Sequence, residues 1–359
     1  MNTKHVRGQK IRFGIVGAGG IADSYLAAFQ TVKNASLTAI ADVQPDVAKK
    51  KADIAGCASF LSHKEMLESG LVDAVIVSTP PSTHEAICVD FLEHHIAVLC
   101  EKPVSLSGKS ARLIRRKAQE NKTPFTMASK FRYVEDVVRA RNIVASGILG
   151  EIILFENTFM SFVNMASRWN SNSELSGGGV LIDNGTHSID IMRYFLGPLC
   201  SIHVVAGIKL QKLAVEDTVH ATIRADSGAT GRIDLSWSIN KQCDDYIAIY
   251  GSKGTLRVGW KGSYYRQDGN PAWVQFGQGY NKIQAFRDQI ENFSASVQGL
   301  EALIIDADDA VASVDVIQSG YQALSDHTWV PIPSSDDHDV LSVGVEQLRN
   351  ISAYSEATV

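Results

Sequence analysis

The chain has 359 residues, a formal net charge of −5 at pH 7, and 45% hydrophobic against 20% charged residues. That length predicts two domains, and the composition is that of a globular protein with ample material for a core. The net negative charge excludes a nucleic-acid binder working through a broad basic surface, and no apolar stretch is long enough to span a bilayer.

The first third alternates short apolar runs with helical patterns. "IRFGIV" (Ile11 to Val16) is a β-branched run ending at glycines, and a helix is expected from Ile21 to Gln30. The join "GIVGAGGIA" sets Gly17, Gly19 and Ala22 in a GxGxxA pattern. Gly17 permits a tight turn, Gly19 lets a pyrophosphate approach the backbone, and Ala22 lets helix and strand pack closely. The helix N-terminus, with Gly20 and Ile21 before it, attracts the anion. "SLTAIAD" (Ser36 to Asp42) is the next strand. Asp42 stands where an acid accepts hydrogen bonds from the adenosine ribose. No adjacent arginine offsets its charge against a 2′-phosphate, so NAD is expected over NADP. The alternative for Asp42 is a turn or cap residue before the helix Pro45 to Ala55.

"DAVIVS" (Asp73 to Ser78) runs into Thr79 and Pro80, at the end of a parallel strand where a nicotinamide ribose would lie. Ser82 or Thr83 is placed to cap the helix Thr83 to His94. His84 has two readings, a cofactor contact or a first-turn polar residue. "IAVLCE" (Ile96 to Glu101) is followed by Lys102, whose backbone Pro103 restricts. A lysine at a strand's C-terminal end beside a cofactor crevice is a catalytic candidate. A helix over Ser107 to Asn121 and a strand over Pro124 to Ser129 complete a parallel sheet covered on both faces. Residues 1–129 are therefore expected to form an NAD(P)-binding domain. Residues 130–359 follow as a substrate-binding and oligomerisation domain, entered by a helix from Tyr133 to Ser146.

Beyond "SGILGE" (Ser146 to Glu151) strands follow one another: Ile152 to Phe159, Ser201 to Lys209, Asp217 to Ala225, Gly231 to Trp237 and Tyr246 to Tyr250. "ADSGATG" and "GSKGT" are turn signals between them. Helical patterns return over Asn281 to Val297 and Asp306 to Gly320. Within this half lies "GGGVLIDNGTHSIDIMRYF", Gly177 to Phe195. On a helix, Asp183, His187, Asp190 and Tyr194 share one face, and the three glycines are expected to let chain and substrate approach closely. Arg168, Trp169 and Tyr280 are either structural or substrate-facing. His94 and His95 lack partners at metal-ligand spacing, so no metal is expected. The five cysteines form no CxxC pair and "MNTKHVRGQKIRF" lacks a signal peptide's apolar run, so a cytoplasmic location is expected.

Taken in order, "GIVGAGGIA", the Asp42 strand end, "STPPSTH", "EKP" and "GGGVLIDNGTHSID" resemble the Gfo/Idh/MocA oxidoreductases, the family of glucose–fructose oxidoreductase and inositol dehydrogenase. The resemblance extends to about Gly320. It implies an α/β chain with an N-terminal Rossmann doubly wound parallel sheet. A C-terminal α/β domain with a large open, mainly antiparallel sheet would follow. It implies hydride transfer between NAD(P) and a secondary alcohol or ketone carbon of a sugar, cyclitol or sugar derivative. Lys102, Asp183 and His187 match the family's catalytic set. Gly17, Gly19, Gly20, Ile21, Asp42, Thr79, Pro80, His84, Glu101 and Lys102 fall on its cofactor side. Asp190 fits a further acid of the same helix, and the Lys102–Pro103 peptide is expected to be cis. "SKFRYVED" (Ser129 to Asp136) departs from the commoner form, an arginine followed by Phe-x-Pro, so Arg132 receives no role.

His187 has the unperturbed pKa of an acid/base at neutral pH, and Lys102 can stabilise alkoxide character. Which of the two carries the proton stays open. Alternatives are a nucleotide-ketosugar reductase, a dihydrodiol-type dehydrogenase and a non-catalytic NAD-binding regulator. The last is disfavoured because Lys102, Asp183 and His187 are all present. A small polyol or sugar is the expected partner, with no nucleic acid and no membrane. A homodimer or homotetramer is expected through the second domain, because a sheet with helices on one face leaves an apolar surface to cover.

Overall fold

The computed structural model describes residues 9–270 and 272–333; the ends of the two expected domains, residues 1–8 and 334–359, lie outside the described residues. In chain order the first elements are β1 (Ile11–Val16), α1 (Ala22–Phe29), β2 (Ala35–Ala41), α2 (Pro45–Ala55), β3 (Ala58–Phe60) and α3 (His63–Glu68). β4 (Ala74–Val77), α4 (His84–Glu93), β5 (Ala97–Glu101), α5 (Gly108–Glu120) and β6 (Phe125–Ala128) follow. The six strands form one parallel sheet in the order β3-β2-β1-β4-β5-β6. All four residues of β4 are buried, as expected of a parallel strand covered on both faces. β3 and α3 were not expected. They span three and six residues, too short for a periodic pattern to register.

The next elements are α6 (Glu135–Ala145), β7 (Ile152–Met160), α7 (Ser173–Ser176), α8 (Val180–Leu196), β8 (Leu199–Ala206), β9 (Thr218–Ala225) and β10 (Thr230–Ser236). β11 (Asp245–Gly251), β12 (Gly254–Gly259), β13 (Ser263–Gln267), β14 (Val274–Gly277), α9 (Lys282–Val297), α10 (Ala307–Asp326) and β15 (Val330–Pro331) complete the described chain. Nine strands pair in the order β14-β13-β12-β11-β7-β10-β9-β8-β15. β7 and β10 run parallel, and the other neighbours are antiparallel. The sheet is therefore mixed and mainly antiparallel, as expected. Along β7, Phe155, Asn157 and Phe159 are buried, and Phe155 lies 5.7 Å from Phe195 of α8.

The opposite face of this sheet differs from the expectation. In place of an apolar surface its centre carries charge. His220 Nδ1 lies 2.7 Å and Lys241 Nζ 3.0 Å from the carboxylate of Asp234 on β10. Arg232 adds a longer contact at 3.6 Å. Strand alternation tells which residues point outward, but it does not tell whether they are apolar.

The chain divides into two compact units that are not contiguous in sequence. The first comprises residues up to Ser105, Ser110–Val134 and Asn281–Val311; the second comprises Leu106–Lys109, Glu135–Tyr280 and residues from Ala312 on. A simple division after residue 129 leaves α9 with the second unit, whereas α9 packs in the first. Phe286 meets Tyr25 of α1 edge-on at 4.7 Å, and Phe293 meets Phe13 of β1 at 6.1 Å. A helical apolar stripe announces a buried face; it does not announce which sheet buries it.

Candidate active site

In the first unit, the β1–α1 turn is built around Gly17, at φ +94°. A Cβ there would stand 2.7 Å from the Ser78 carbonyl and 2.8 Å from the Thr79 nitrogen. Only glycine lets this turn cross the end of β4 so closely. At Gly19 and Gly20 the opposite holds: a Cβ would meet nothing within 4 Å. α1 starts there with no side-chain cap, so open space faces the N-terminus of a helix, the setting that binds an anion. Ile21 is its N-cap residue. Asp42 follows β2. Its Oδ2 accepts from Ala18 N–H at 2.7 Å and its Oδ1 from Gln44 N–H at 2.9 Å. The turn reading of Asp42 is thus met by these two bonds, and they hold its carboxylate next to the open glycines. Lys49 and Lys51 of α2 pair with Asp53 and Asp23. An open glycine turn beside a fixed acid fits a dinucleotide.

Thr79 and Pro80 lie half-buried at the end of β4. Of the two readings of His84, the first-turn residue is the one that its place in the fold fits. It is the first residue of α4, fully buried, with ring nitrogens 2.8 Å from Thr79 O and 3.0 Å from Pro103 O. Burial, foremost, lowers its pKa against the opposing backbone contacts. It ties the Thr79 and Pro103 turns together through its two ring nitrogens. The capping expectation also gives way: Thr83 Oγ1 donates back to Pro80 O at 2.8 Å, and α4 has no side-chain cap. Glu101 accepts from Tyr25 Oη at 2.7 Å and from Lys102 N–H at 3.2 Å. Burial raises its carboxyl pKa, while Tyr25 and the charges of Lys102 and Lys130 pull it down. Lys102 is half-buried just past β5, and its peptide bond to Pro103 is cis. Arg132 is buried in an ion pair with Asp309 at 2.9 Å.

In the second unit, Asp183, His187, Asp190 and Tyr194 fall on one face of α8, as their spacing requires. Gly185 and Met192 mark the face toward the sheet, meeting Leu235 and Gly231 of β10. Asp183 is half-buried, His187 is buried and Asp190 fully so. Tyr194 ends the stripe beneath the Arg141 guanidinium, 5.7 Å from the ring.

The three glycines before α8 depart from the expectation. They leave no room for a ligand. A Cβ at Gly178 would run into the Tyr321 hydroxyl, one at Gly179 into the Glu216 carbonyl, and one at Gly177 would stand 2.6 Å from Leu106. Glu216 occupies this helix N-terminus itself. Its carboxylate accepts from Gly179 N–H and Leu181 N–H at 3.0 Å and from Tyr321 Oη at 2.9 Å. Burial raises its pKa, with these bonds opposing. Sequence reading missed Glu216 because nothing local in "AVEDT" signals a cap for a helix that begins at Val180. Arg168 and Trp169 are exposed. Tyr280 packs edge-on against Trp260 at 5.5 Å, and burial raises its pKa.

A parallel six-stranded sheet with an open glycine turn and a strand-end acid is the architecture of a dinucleotide-binding domain. Family comparison bears this out. The oxidoreductase family with an NAD-binding Rossmann fold matches residues 11–129, and the GFO/IDH/MocA C-terminal domain matches residues 137–257. The chain belongs to the Gfo/Idh/MocA oxidoreductase family. Rhizopine catabolism protein MocA of Rhizobium meliloti is 25% identical, over 88% of this chain and 96% of its own. Inositol 2-dehydrogenase of Rhizobium meliloti (strain 1021) is 23% identical, over 90% of this chain and 99% of its own. Among solved structures, a levoglucosan dehydrogenase in complex with NADH and levoglucosan shares the fold. Its TM-score is 0.85 at 17% identity, covering 91% of this chain and 100% of that one. Among the described residues no helix is long and apolar enough to cross a membrane.

Proposed function

We propose that this oxidoreductase is an NAD-dependent dehydrogenase of a secondary alcohol on a sugar, cyclitol or sugar derivative. The observation that carries the reading is the open Gly19–Gly20 turn beside a carboxylate fixed at Asp42. The relatives named as acting on inositol and levoglucosan support the substrate class. Gly17 to Ile21 hold the pyrophosphate, Asp42 the adenosine ribose, and Thr79 and Pro80 the nicotinamide side. Bound NAD supplies the acceptor for the hydride of the carbinol carbon. Lys102, steadied through Glu101, holds the substrate oxygen and stabilises its developing negative charge. His187 takes the proton from that oxygen, and Asp183 binds a neighbouring hydroxyl. The paired lysines of α2 and the charge of Asp42 favour NAD over NADP. Residues 1–129 with α9 serve the cofactor, and the second unit serves the substrate. Scattered cysteines without a CxxC pair suit the reducing cytoplasm. The second unit assembles the chain into a homodimer or homotetramer; light scattering returning a monomer would remove that part.

The test is a screen of polyols, sugars and ketosugars followed by NADH absorbance. On the substrate it finds, Lys102→Ala and His187→Ala should each lower turnover roughly a hundredfold or more while NADH binding, followed by fluorescence titration, stays nearly intact. Asp183→Ala should raise KM as well. The double Lys102/His187 variant should cost less than the product of the singles, because both act on one oxygen. Near-normal turnover of His187→Ala at every pH would make the imidazole structural.

A further inference from the structure

Trp260 follows β12 and remains 39% exposed. A single exposed tryptophan on a protein surface calls for no explanation. This one is braced on all sides that the protein can reach. Its ring lies 4.5 Å from Tyr246, which stacks at 6.0 Å on Phe159; Tyr280 stands at right angles to it at 5.5 Å. Tyr246 and Phe159 are buried. The backbone is tied as well, Trp260 N–H donating to Asp244 O at 2.9 Å and Tyr280 N–H to Trp260 O at 3.1 Å. The segment leading to Tyr280 is held by the buried Asp136, which accepts from Gln278 N–H at 3.1 Å, Gly279 N–H at 2.7 Å and Ser263 Oγ at 2.5 Å.

The placement is also informative. β12 and β7 run the same way, each antiparallel to β11, so Trp260 and Phe159 reach the same edge of the nine-stranded sheet. Phe159 pairs in register with Leu235, and Leu235 packs against Gly185. Gly185 lies two residues from both Asp183 and His187 on α8. The aromatic group therefore stands on the α8 side of the sheet, at the strand ends level with the first turns of α8, which carry Asp183 and His187 on the face turned from Gly185.

We propose that Trp260, backed by Tyr246 and edged by Tyr280, is the stacking platform for the substrate ring, and that it selects rings whose hydroxyls are equatorial. The proposal rests on the dehydrogenase reading above. Equatorial hydroxyls turn the axial C–H bonds of a pyranose or cyclitol outward, giving two apolar faces that lie flat on an aromatic ring while the hydroxyls bond at its edges. An axial hydroxyl breaks one face. A platform fixed by three neighbouring rings and a buried carboxylate loses little freedom on binding.

The full-length protein with NAD is assayed on methyl β-D-glucopyranoside against methyl β-D-galactopyranoside, and on scyllo-inositol against myo-inositol. The all-equatorial member of each pair should show the higher kcat/KM, by about tenfold. Trp260→Ala should raise its KM about tenfold and level the pair, with kcat little changed. Trp260→Phe, which keeps a ring, should retain most of the preference. The sugar should also change the tryptophan fluorescence of the wild type and not that of Trp260→Phe. Unchanged selectivity in a Trp260→Ala protein that still binds NADH overturns the platform and leaves the dehydrogenase standing. So does a wild type that oxidises other carbinols but no member of these pairs, or one that prefers the axial members. A wild type that oxidises no carbinol in the wider screen overturns the parent reading instead.

Discussion

The chain contains two helices that begin at runs of glycine, and they use the same residue for opposite ends. At α1 the glycines leave space: a Cβ at Gly19 or Gly20 would meet nothing, and the helix start has no side-chain cap. At α8 the glycines are filled from inside, by Tyr321, Leu106 and the backbone of Glu216, and a carboxylate of the protein sits where an external anion would otherwise be drawn. A helix N-terminus attracts negative charge in either case. What differs is who supplies it. A glycine run before a helix is thus a statement about close approach, and only the long-range partners say whether a ligand or the protein itself approaches.

Five substitutions would break or sharpen this contrast. Gly179→Ala should have the largest effect, about 3 kcal/mol of stability, because the new methyl meets backbone that cannot give way. Thermal unfolding measures it, and an unchanged midpoint would mean that the α8 entrance is not filled. Glu216→Ala should follow at about 2 kcal/mol, since it strands the N–H groups of Gly179 and Leu181. Glu216→Gln should separate charge from shape. A carboxyl whose folded pKa is raised binds its proton more tightly folded than unfolded. Ionised Glu216 therefore costs stability as pH rises from the unfolded value of about 4.3 through its raised folded value. The wild type should lose stability relative to Glu216→Gln as pH climbs through that window, and parallel stability curves would refute it.

At α1 the expected signature is reversed. Gly19→Ala should leave the unfolding midpoint within about 0.5 kcal/mol of wild type. NADH binding should weaken about tenfold, ~1.4 kcal/mol, by fluorescence titration. A stability loss without a binding loss would assign Gly19 to packing. Asp42→Ser should have the smallest effect, narrowing the preference for NADH over NADPH a fewfold in paired titrations; a wild type that already binds NADPH as tightly would remove the cofactor assignment.

What was legible in the sequence follows from how local each feature is. β1, the glycine turn and Asp42 are set within one strand–turn–helix and the next strand end, so spacing alone carries them. The Asp183–His187 stripe needs only helical periodicity. Glu216 and Tyr321 arrive at α8 from 35 and more than a hundred residues away, and no short-range pattern encodes such a meeting. His84 stayed open between two readings because its ring nitrogens find carbonyl partners, at Thr79 and Pro103, that exist only once β4 and β5 lie side by side. The charged outer face of the large sheet was misread for a different reason. Its outward positions alternate correctly, but their polar partners come from neighbouring strands, as His220 does for Asp234 and Arg257 for Asp245.

The return of α9 to the first sheet sets the order in which the molecule can be made. Phe13 and Tyr25 are synthesised before the other strands of their sheet, yet their ring partners Phe293 and Phe286 are synthesised only after every strand up to β14. The nucleotide-binding half is thus begun before the second unit and closed only after strands β7 to β14 of that unit have been made. Until α9 arrives, an apolar patch on α1 and β1 waits in solvent, a long-range closure of the kind that slows folding and exposes nascent chains to aggregation.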